Sequence, residues 1–459
     1  MTKNIVEKTF EAPARALEFG VEGGQKIAKT MPLTGHQPLQ KAKNYWYMLG
    51  PGLTTGASDD DPSGIATYSQ TGAQFGFGLL WLAAFTFPLM AIIQEMCARI
   101  GIVTGRGLAG NIRVHFGKKI LYTSTLLLFA ANTFNIGADI GAMANSVQLV
   151  MPRSNFTFLV IGVTLAILLL QIFTPYVRYA RYLKWLALVL FAYILSALLA
   201  HPDWHTVLKN AAIPHITFSK DQILLICAIL GTTITPYLFF WQTSQEIEEE
   251  VAAGQTTIKS RMGSEKGPIK KMRIDVWSGM FLSNIVMFFI IAACASVLYM
   301  HGVKNISTAA QAAQALRPFA GNATYWLFAI GIFGMGMLAI PIMAGSSAYA
   351  ISESLGIRRP QGLNQKLKQA SMFYGVIIIS MFLGLGMNFI GLNPIKALIY
   401  SAVLNGIVAP IIIVLILLIA RNTHIMGEWK NGKTSATLGW ILALLMTCSG
   451  VAAIYALLP

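Results

Sequence analysis

The sequence predicts an all-α polytopic membrane protein with two inverted five-span repeats and an eleventh helix added. Three observations carry this. Of 459 residues, 55% are hydrophobic and only 12% charged, and the mean hydropathy is +0.59, a composition that suits lipid rather than water. Apolar stretches near the membrane-crossing length, about 20 residues at roughly 1.5 Å each, recur along the chain. Two of them, the first and the sixth, are interrupted at Asp61-Pro62 and Thr235-Pro236. Paired interruptions in two halves point to an inverted repeat, and an odd number of spans per half turns the second half over.

The elements follow in order. Residues 1–45 are mixed polar, lack a signal-peptide core and read as a cytosolic tail, with a short amphipathic helix near 5–19. Spans 1 to 5 are expected over 46–75, 77–103, 119–150, 155–174 and 182–200, so the first repeat covers 46–200. Spans 6 to 10 are expected over 221–246, 274–300, 324–352, 369–390 and 393–420, so the second covers 221–420. Span 11 is expected over 435–458.

Charge sets the orientation. With the N-terminus inside, 28 of the 34 Lys and Arg fall in cytosolic segments and 6 in outer ones. That is the positive-inside pattern of a multi-pass plasma (inner) membrane protein, N-terminus cytoplasmic and C-terminus outside. It explains the net charge of +15 without nucleic acid, and anionic lipid is the surface such charges meet. Cys97, Cys227, Cys294 and Cys448 lie in apolar segments without metal-site spacing and read as small buried hydrophobes.

The chemistry concentrates at the first interruption, Asp59-Asp60-Asp61-Pro62-Ser63-Gly64. One carboxylate inside a bilayer costs roughly 2.5–3.5 kcal/mol on an insertion scale, so three must face water, a cation or a protein cavity. Pro62 removes a backbone donor and disfavours helix at Asp61. The sixth span breaks within Gly231-Thr232-Thr233-Ile234-Thr235-Pro236-Tyr237. Unwound carbonyls there join oxygen donors from Asp59, Asp60, Asp61, Ser63, Thr232, Thr233 and Thr235, with Tyr237 at longer reach. An all-oxygen set suits hard ions such as Mg²⁺, Ca²⁺ or Mn²⁺. No His, Met or Cys lies at either break.

Other polar residues inside spans have two readings each. Glu95 either serves a pathway or pairs with Arg99 one turn on. Asp139, with Asn135 and Asn132 in the turns before it, either lines a pathway or makes structural hydrogen bonds. Asn405 is a helix–helix hydrogen bond or a cavity ligand. The run Glu246, Glu248, Glu249 and Glu250 reads as a solvated face, or as a lure for cations. Gly331-Ile332-Phe333-Gly334-Met335-Gly336 reads as close helix packing, since no strand precedes it to make a nucleotide loop.

Gly50-Pro51-Gly52, Asp61-Pro62-Ser63-Gly64, the run Gly101-Ile-Val-Thr-Gly-Arg-Gly-Leu-Ala109, and Gly231-Thr-Thr-Ile-Thr-Pro-Tyr237 resemble the Nramp family of divalent metal transporters over about residues 45–420. The resemblance implies a LeuT-type fold with metal bound between the two breaks. Asp61 matches the family's metal-binding Asp. Gly64 stands at its Asn ligand, Thr235 at the Met whose sulfur favours Mn²⁺ and Fe²⁺, and Tyr237 at the His tied to proton transfer and gating. The acidic pair on span 3 aligns with Asn135 and Ala138. The chain is thus similar to Nramp-related proteins with altered sites, a group that includes Mg²⁺ transporters.

The function expected is a divalent cation transporter working by alternating access, for Mg²⁺ and/or Mn²⁺, with weak or no proton coupling. The metal residues expected are Asp59, Asp60, Asp61, Ser63, Gly64, Thr232 and Thr235. The pathway or gating residues are Tyr237, Asp139, Asn135, Asn405 and Glu95. Two alternatives share the fold: a proton-coupled Mn²⁺/Fe²⁺ symporter and a cation-driven organic-solute symporter, the latter disfavoured for an anionic solute by three aspartates. A non-transporting metal sensor lacks a signalling domain in the short loops. No nucleophile–base pair or cofactor motif marks an enzyme, so the expected partners are the ion and the bilayer, and a monomer meets this reading.

Overall fold

A computed structural model describes residues 45–46, 48–174, 176–200, 202–306, 309–357, 362–391 and 393–457. The amphipathic helix expected near 5–19 lies outside the described residues. The chain divides into two units. In the first, up to Met48, the described residues Tyr45, Trp46 and Met48 are helical. The second, from Leu49 on, holds the helices described below, and no strand occurs among the described residues.

The first apolar segment is broken in two, α1 (Pro51–Asp59) and α2 (Pro62–Phe75). Pro51 and Pro62 each sit in the first turn of their helix, where the missing N–H loses nothing. Asp61, just before Pro62, is pushed to extended backbone (φ −63°, ψ 169°) and caps α2 with its side chain. There follow α3 (Trp81–Thr104), α4 (Leu108–His115), α5 (Lys118–Val150), α6 (Phe156–Phe173), α7 (Tyr176–Leu186), a 3₁₀ turn (Ala187–Leu190), α8 (Phe191–Leu199) and α9 (Trp204–Ala212). Gly105 ends α3 with φ 60°, where L side chains are disfavoured.

The sixth segment is broken likewise, into α10 (Lys220–Thr233) and α11 (Pro236–Ala252), with Pro236 in the first turn of α11. Then come α12 (Ile258–Arg261), α13 (Lys266–Cys294) running into a π turn (Ala295–Tyr299), α14 (Ala309–Leu355), α15 (Ser371–Met387), α16 (Pro394–Arg421), α17 (Thr423–Met426), a 3₁₀ turn (Gly427–Trp429) and α18 (Lys433–Leu457). Among the described residues nine helices are long and apolar enough to cross a membrane, and Ser371–Met387 is a shorter apolar helix. The segment expected over 182–200 is one apolar helical run, Arg181–Leu199, whose turn Ala187–Leu190 is 3₁₀ rather than α. The one expected over 324–352 lies within the longer α14.

Packing sorts the helices into centre and periphery. In the apolar stretch of the broken pair α10–α11, 83% of the residues are buried, against 28% in that of α6 and 33% in that of α18. The outer helices turn Phe158, Leu165, Leu444 and Val451 outward, as a lipid-solvated surface allows. Without a hydrophobic drive between helices in lipid, small residues set the close crossings. A Cβ on Gly279 of α13 would lie 2.0 Å from the Gly52 carbonyl oxygen of α1, and one on Gly231 of α10 would lie 2.0 Å from the Ala402 oxygen of α16. Gly331, Gly334 and Gly336 of α14 meet Tyr193, Val189 and Met143 in the same way, so that glycine run is a packing surface.

Two local expectations are corrected. Cys97, Cys227 and Cys294 are buried free thiols, but Cys448 is exposed, because α18 is peripheral. The glutamate run after the second break is not a wholly solvated face: Glu246 and Glu248 are buried. Glu248 accepts hydrogen bonds from Tyr349 Oη (2.7 Å) and Leu363 N (3.1 Å), which carry its desolvation.

Candidate metal transport site

The two breaks meet at the centre of the molecule. A Cβ on Gly64 would lie 3.0 Å from Thr232 Oγ1 and 3.3 Å from the Asp59 carbonyl oxygen. A side chain there would press on both atoms, so the glycine eases the approach of the first turn of α2 to the end of α10. Tyr237, in the first turn of α11, donates from its hydroxyl to the Ser58 carbonyl at 2.7 Å. Each break is therefore braced by the other.

Asp61 is the best-held carboxylate. Its Oδ1 accepts from Ser63 Oγ at 2.6 Å and from Gly64 N at 2.7 Å. Its Oδ2 accepts from Asn135 Nδ2 of α5 at 2.8 Å. Oδ1 uses both lone pairs on its two donors, whereas Oδ2 keeps one free, so these bonds orient the group and leave Oδ2 able to ligate. The Thr232 and Thr235 hydroxyl oxygens and Asn135 Oδ1 are buried without a hydrogen-bond partner among the described residues. Leaving a buried polar atom unpaired costs about 1–3 kcal/mol, which a bound cation offsets. Thr233 differs: its hydroxyl donates to its own helix at Ile229 O (2.7 Å) and meets Tyr68 Oη at 3.3 Å.

Asp59 and Asp60 are equally buried but have different partners. Asp59 Oδ2 accepts from Ser283 Oγ of α13 at 2.8 Å, while Asp59 Oδ1 and both Asp60 oxygens have no hydrogen-bond partner among the described residues. Among the described residues no three His, Cys, Asp or Glu side chains converge on one point. Consecutive residues at a helix end fan outward, so the three aspartates do not form one claw. An ion here takes one or two carboxylates and completes its shell with hydroxyls, carbonyls or water.

The other expected residues divide clearly. Asp139 is buried on α5, and neither of its carboxylate oxygens has a hydrogen-bond partner among the described residues. Asn405 of α16 is buried, and its Oδ1 has no hydrogen-bond partner among the described residues. Glu95 is away from the breaks: it pairs with Arg99 at 3.2 Å and with Arg273 at 2.9 Å. Asn132 is structural, donating to Met343 O, Ser346 Oγ and Ser347 Oγ.

Four contributors gave no sign in the sequence. Ser283 is one serine in an apolar span. Met343 brings its sulfur within 3.0 Å of Asn135 Nδ2, and Met287 brings its own to 3.9 Å from Thr233 Oγ1. Neither methionine is near a break in the chain, so sulfur is present at the edge of a region whose own residues are all oxygen donors. Asp275 of α13 is the fourth. It accepts from Gly50 N, Gly52 N and Leu53 N at 2.8, 2.7 and 3.1 Å, and so anchors the start of α1.

A family model described as natural resistance-associated macrophage protein-like (Nramp) matches residues 52–456. Curated relatives include proteins named divalent metal cation transporter MntH. The one from Caldanaerobacter subterraneus subsp. tengcongensis is 25% identical over 408 residues, 87% of this chain and 91% of the relative. That from Yersinia pestis is 25% identical over 429 residues, 90% of this chain and 95% of the relative. Among solved structures, the Eremococcus coleocola manganese transporter superposes with a TM-score of 0.67 at 19% identity, covering 93% of this chain and 89% of that one. The fold is therefore the LeuT-type polytopic helical arrangement expected, and the chain belongs to the Nramp family.

Proposed function

We propose that the protein carries divalent metal cations across the inner membrane by alternating access, preferring a hard ion, Mg²⁺ and/or Mn²⁺, with weak or no proton coupling. The observation that carries this is the meeting of two unwound helix ends at Gly64 and Thr232 beside the oriented carboxylate of Asp61. Asp61 supplies the essential charge. Thr232, Thr235, Asn135 and the free carbonyls of both breaks supply neutral oxygens, and Asp59 and Asp60 add negative charge nearby. Thr235 in place of a thioether at the break favours hard ions, and Tyr237 in place of an imidazole leaves no group titrating near neutral pH at that position. Residues 46–200 and 221–420 are the two repeats whose rocking exposes the site to either side. The positive-inside charge places the N-terminus in the cytoplasm and the C-terminus outside.

A second reading, a proton-coupled Mn²⁺/Fe²⁺ symporter, is favoured by one observation, the sulfur of Met343 beside Asn135. Uptake into proteoliposomes containing a pH dye decides between them. The proposal expects Mg²⁺ entry without a pH change, abolished by Asp61→Ala at unchanged expression. Mn²⁺-only entry with acidification of the lumen supports the symporter, and normal uptake by Asp61→Ala removes the site assignment.

A further inference from the structure

The second broken helix stays enclosed in protein well beyond its break. Every residue of α11 from Pro236 to Glu246 is buried, and so is Glu248, whereas Glu249 is exposed. Glu248 is thus the last enclosed side chain before α11 reaches water. On the orientation proposed above, this is the cytosolic end.

Among the described residues, no donor to the Glu248 carboxylate comes from its own helix. Tyr349 Oη of α14 donates at 2.7 Å, Leu363 N at 3.1 Å and Asn364 N at 3.2 Å. Asn364 Nδ2 donates both to that carboxylate and to the Glu248 carbonyl. The strap 362–364 lies hard against the helix, since a Cβ at Gly362 would fall 2.0 Å from Glu248 Oε1. Glu246 differs, for its carboxylate accepts from Gln242 Nε2 of α11 itself at 2.8 Å.

The other side of this seam is anchored. One turn beyond Tyr349, Glu353 of α14 accepts from Gly110 N of α4 at 2.8 Å, and a Cβ at Gly107 would lie 1.9 Å from its Oε1. Nearer the bilayer centre, α11 meets α14 where a Cβ at Gly345 would lie 2.7 Å from the Trp241 ring. A buried carboxylate is costly only while it lacks partners. At Glu248 the strap supplies them when the seam is shut, and water, already reached at Glu249, supplies them when α11 tilts out. An apolar side chain there would favour the shut seam alone.

We infer that Glu248 is a positioning residue of the transport cycle. Tyr349 and the strap 362–364 dock the end of α11 through its carboxylate and hold the way from the site to the cytosol shut, and the ion leaves when that dock opens. This inference rests on the alternating-access proposal and adds the residue that sets the balance between shut and open.

The test reads the seam directly. Ser352 is buried, its hydroxyl has no hydrogen-bond partner among the described residues, and it shares the α14 face of Gly345 and Tyr349. A thiol placed there by Ser352→Cys meets solvent when α11 moves away. Purified full-length protein in detergent is treated with a maleimide, and modification is followed site by site by peptide mass spectrometry, with Cys294, buried on α13, as the control. Adding Glu248→Gln, which keeps the size but turns one acceptor into a donor, is expected to speed modification at position 352 about tenfold and to leave Cys294 unchanged. Asn364→Ala, at the half-buried rim of the strap, should shift it the same way more weakly. In proteoliposomes Glu248→Gln should lower the maximal rate of Mg²⁺ uptake while KM stays within about twofold of wild type, since no residue of the ion site is touched. An unchanged rate at position 352 in both variants overturns the dock, and so does an equal rise at Cys294, which marks a loosened fold. The expected labelling shift in a protein that carries neither Mg²⁺ nor Mn²⁺ leaves the dock standing and removes the transport reading.

Discussion

Asn135 Nδ2 and Asp61 Oδ2 lie 2.8 Å apart, a hydrogen bond that ties the middle of α5 to the break between α1 and α2. The same amide nitrogen lies 3.0 Å from Met343 Sδ on α14. One side chain thus fixes which way the central carboxylate points and where the nearest sulfur sits. Hydrogen bonds to a ligating carboxylate hold its geometry and tune its affinity.

Asn135→Ala is accordingly expected to raise the KM for ion uptake by about tenfold, equivalent to about 1.4 kcal/mol, with little loss of folded protein. Initial-rate uptake in proteoliposomes, set beside size-exclusion profiles, measures both. An unchanged KM would show that Asp61 is oriented by Ser63 and Gly64 alone.

Sulfur placement gives a selectivity prediction. If the ion is held by oxygen, Met343→Leu leaves the ratio of Mg²⁺ to Mn²⁺ uptake unchanged. Thr235→Met, which puts a thioether at the second break, shifts the ratio toward Mn²⁺ and makes Cd²⁺ a stronger inhibitor. A loss of Mn²⁺ uptake alone in Met343→Leu would show that Met343 is a ligand.

Asp275 yields a prediction about motion. The start of α1 has no side-chain cap of its own, and three of its amide groups bond the Asp275 carboxylate instead. Lys184 Nζ adds a 2.5 Å bond to the Leu49 carbonyl. Asp275→Ala removes three acceptor contacts and is expected to destabilise the anchored end by about 1–3 kcal/mol. Hydrogen exchange across residues 50–59 should then rise by one to two orders of magnitude, about tenfold per 1.4 kcal/mol, while exchange in α16 stays unchanged. Equal protection in both proteins would mean that glycine packing against α13 alone holds α1.

Much of the site was legible because its signals are local. Pro62 and Pro236 break helices by rules that need only the neighbouring residues, and carboxylates beside a break in an apolar segment have few structural explanations. Glu95 could be read correctly as a partner of Arg99, since i and i+4 share a helix face. The second partner of Glu95, Arg273, could not, being 178 residues away. Glu248 shows the limit from the other side. In the chain it is one of a polar run, yet it is buried because residues 363 and 364 fold over it and supply the donors.

By itself, then, the sequence determined that the chain is a lipid-embedded helical protein, where two of its helices break, and that oxygen donors gather at the breaks. Those features follow from side-chain hydropathy and backbone sterics, which act over a few residues. Only the tertiary structure decided that Gly64 meets Thr232, that Asn135 orients Asp61 and that Ser283 takes Asp59. These depend on which helix faces come together, and that is settled by close packing at Gly52, Gly56, Gly231 and Gly279, summed over the whole interior.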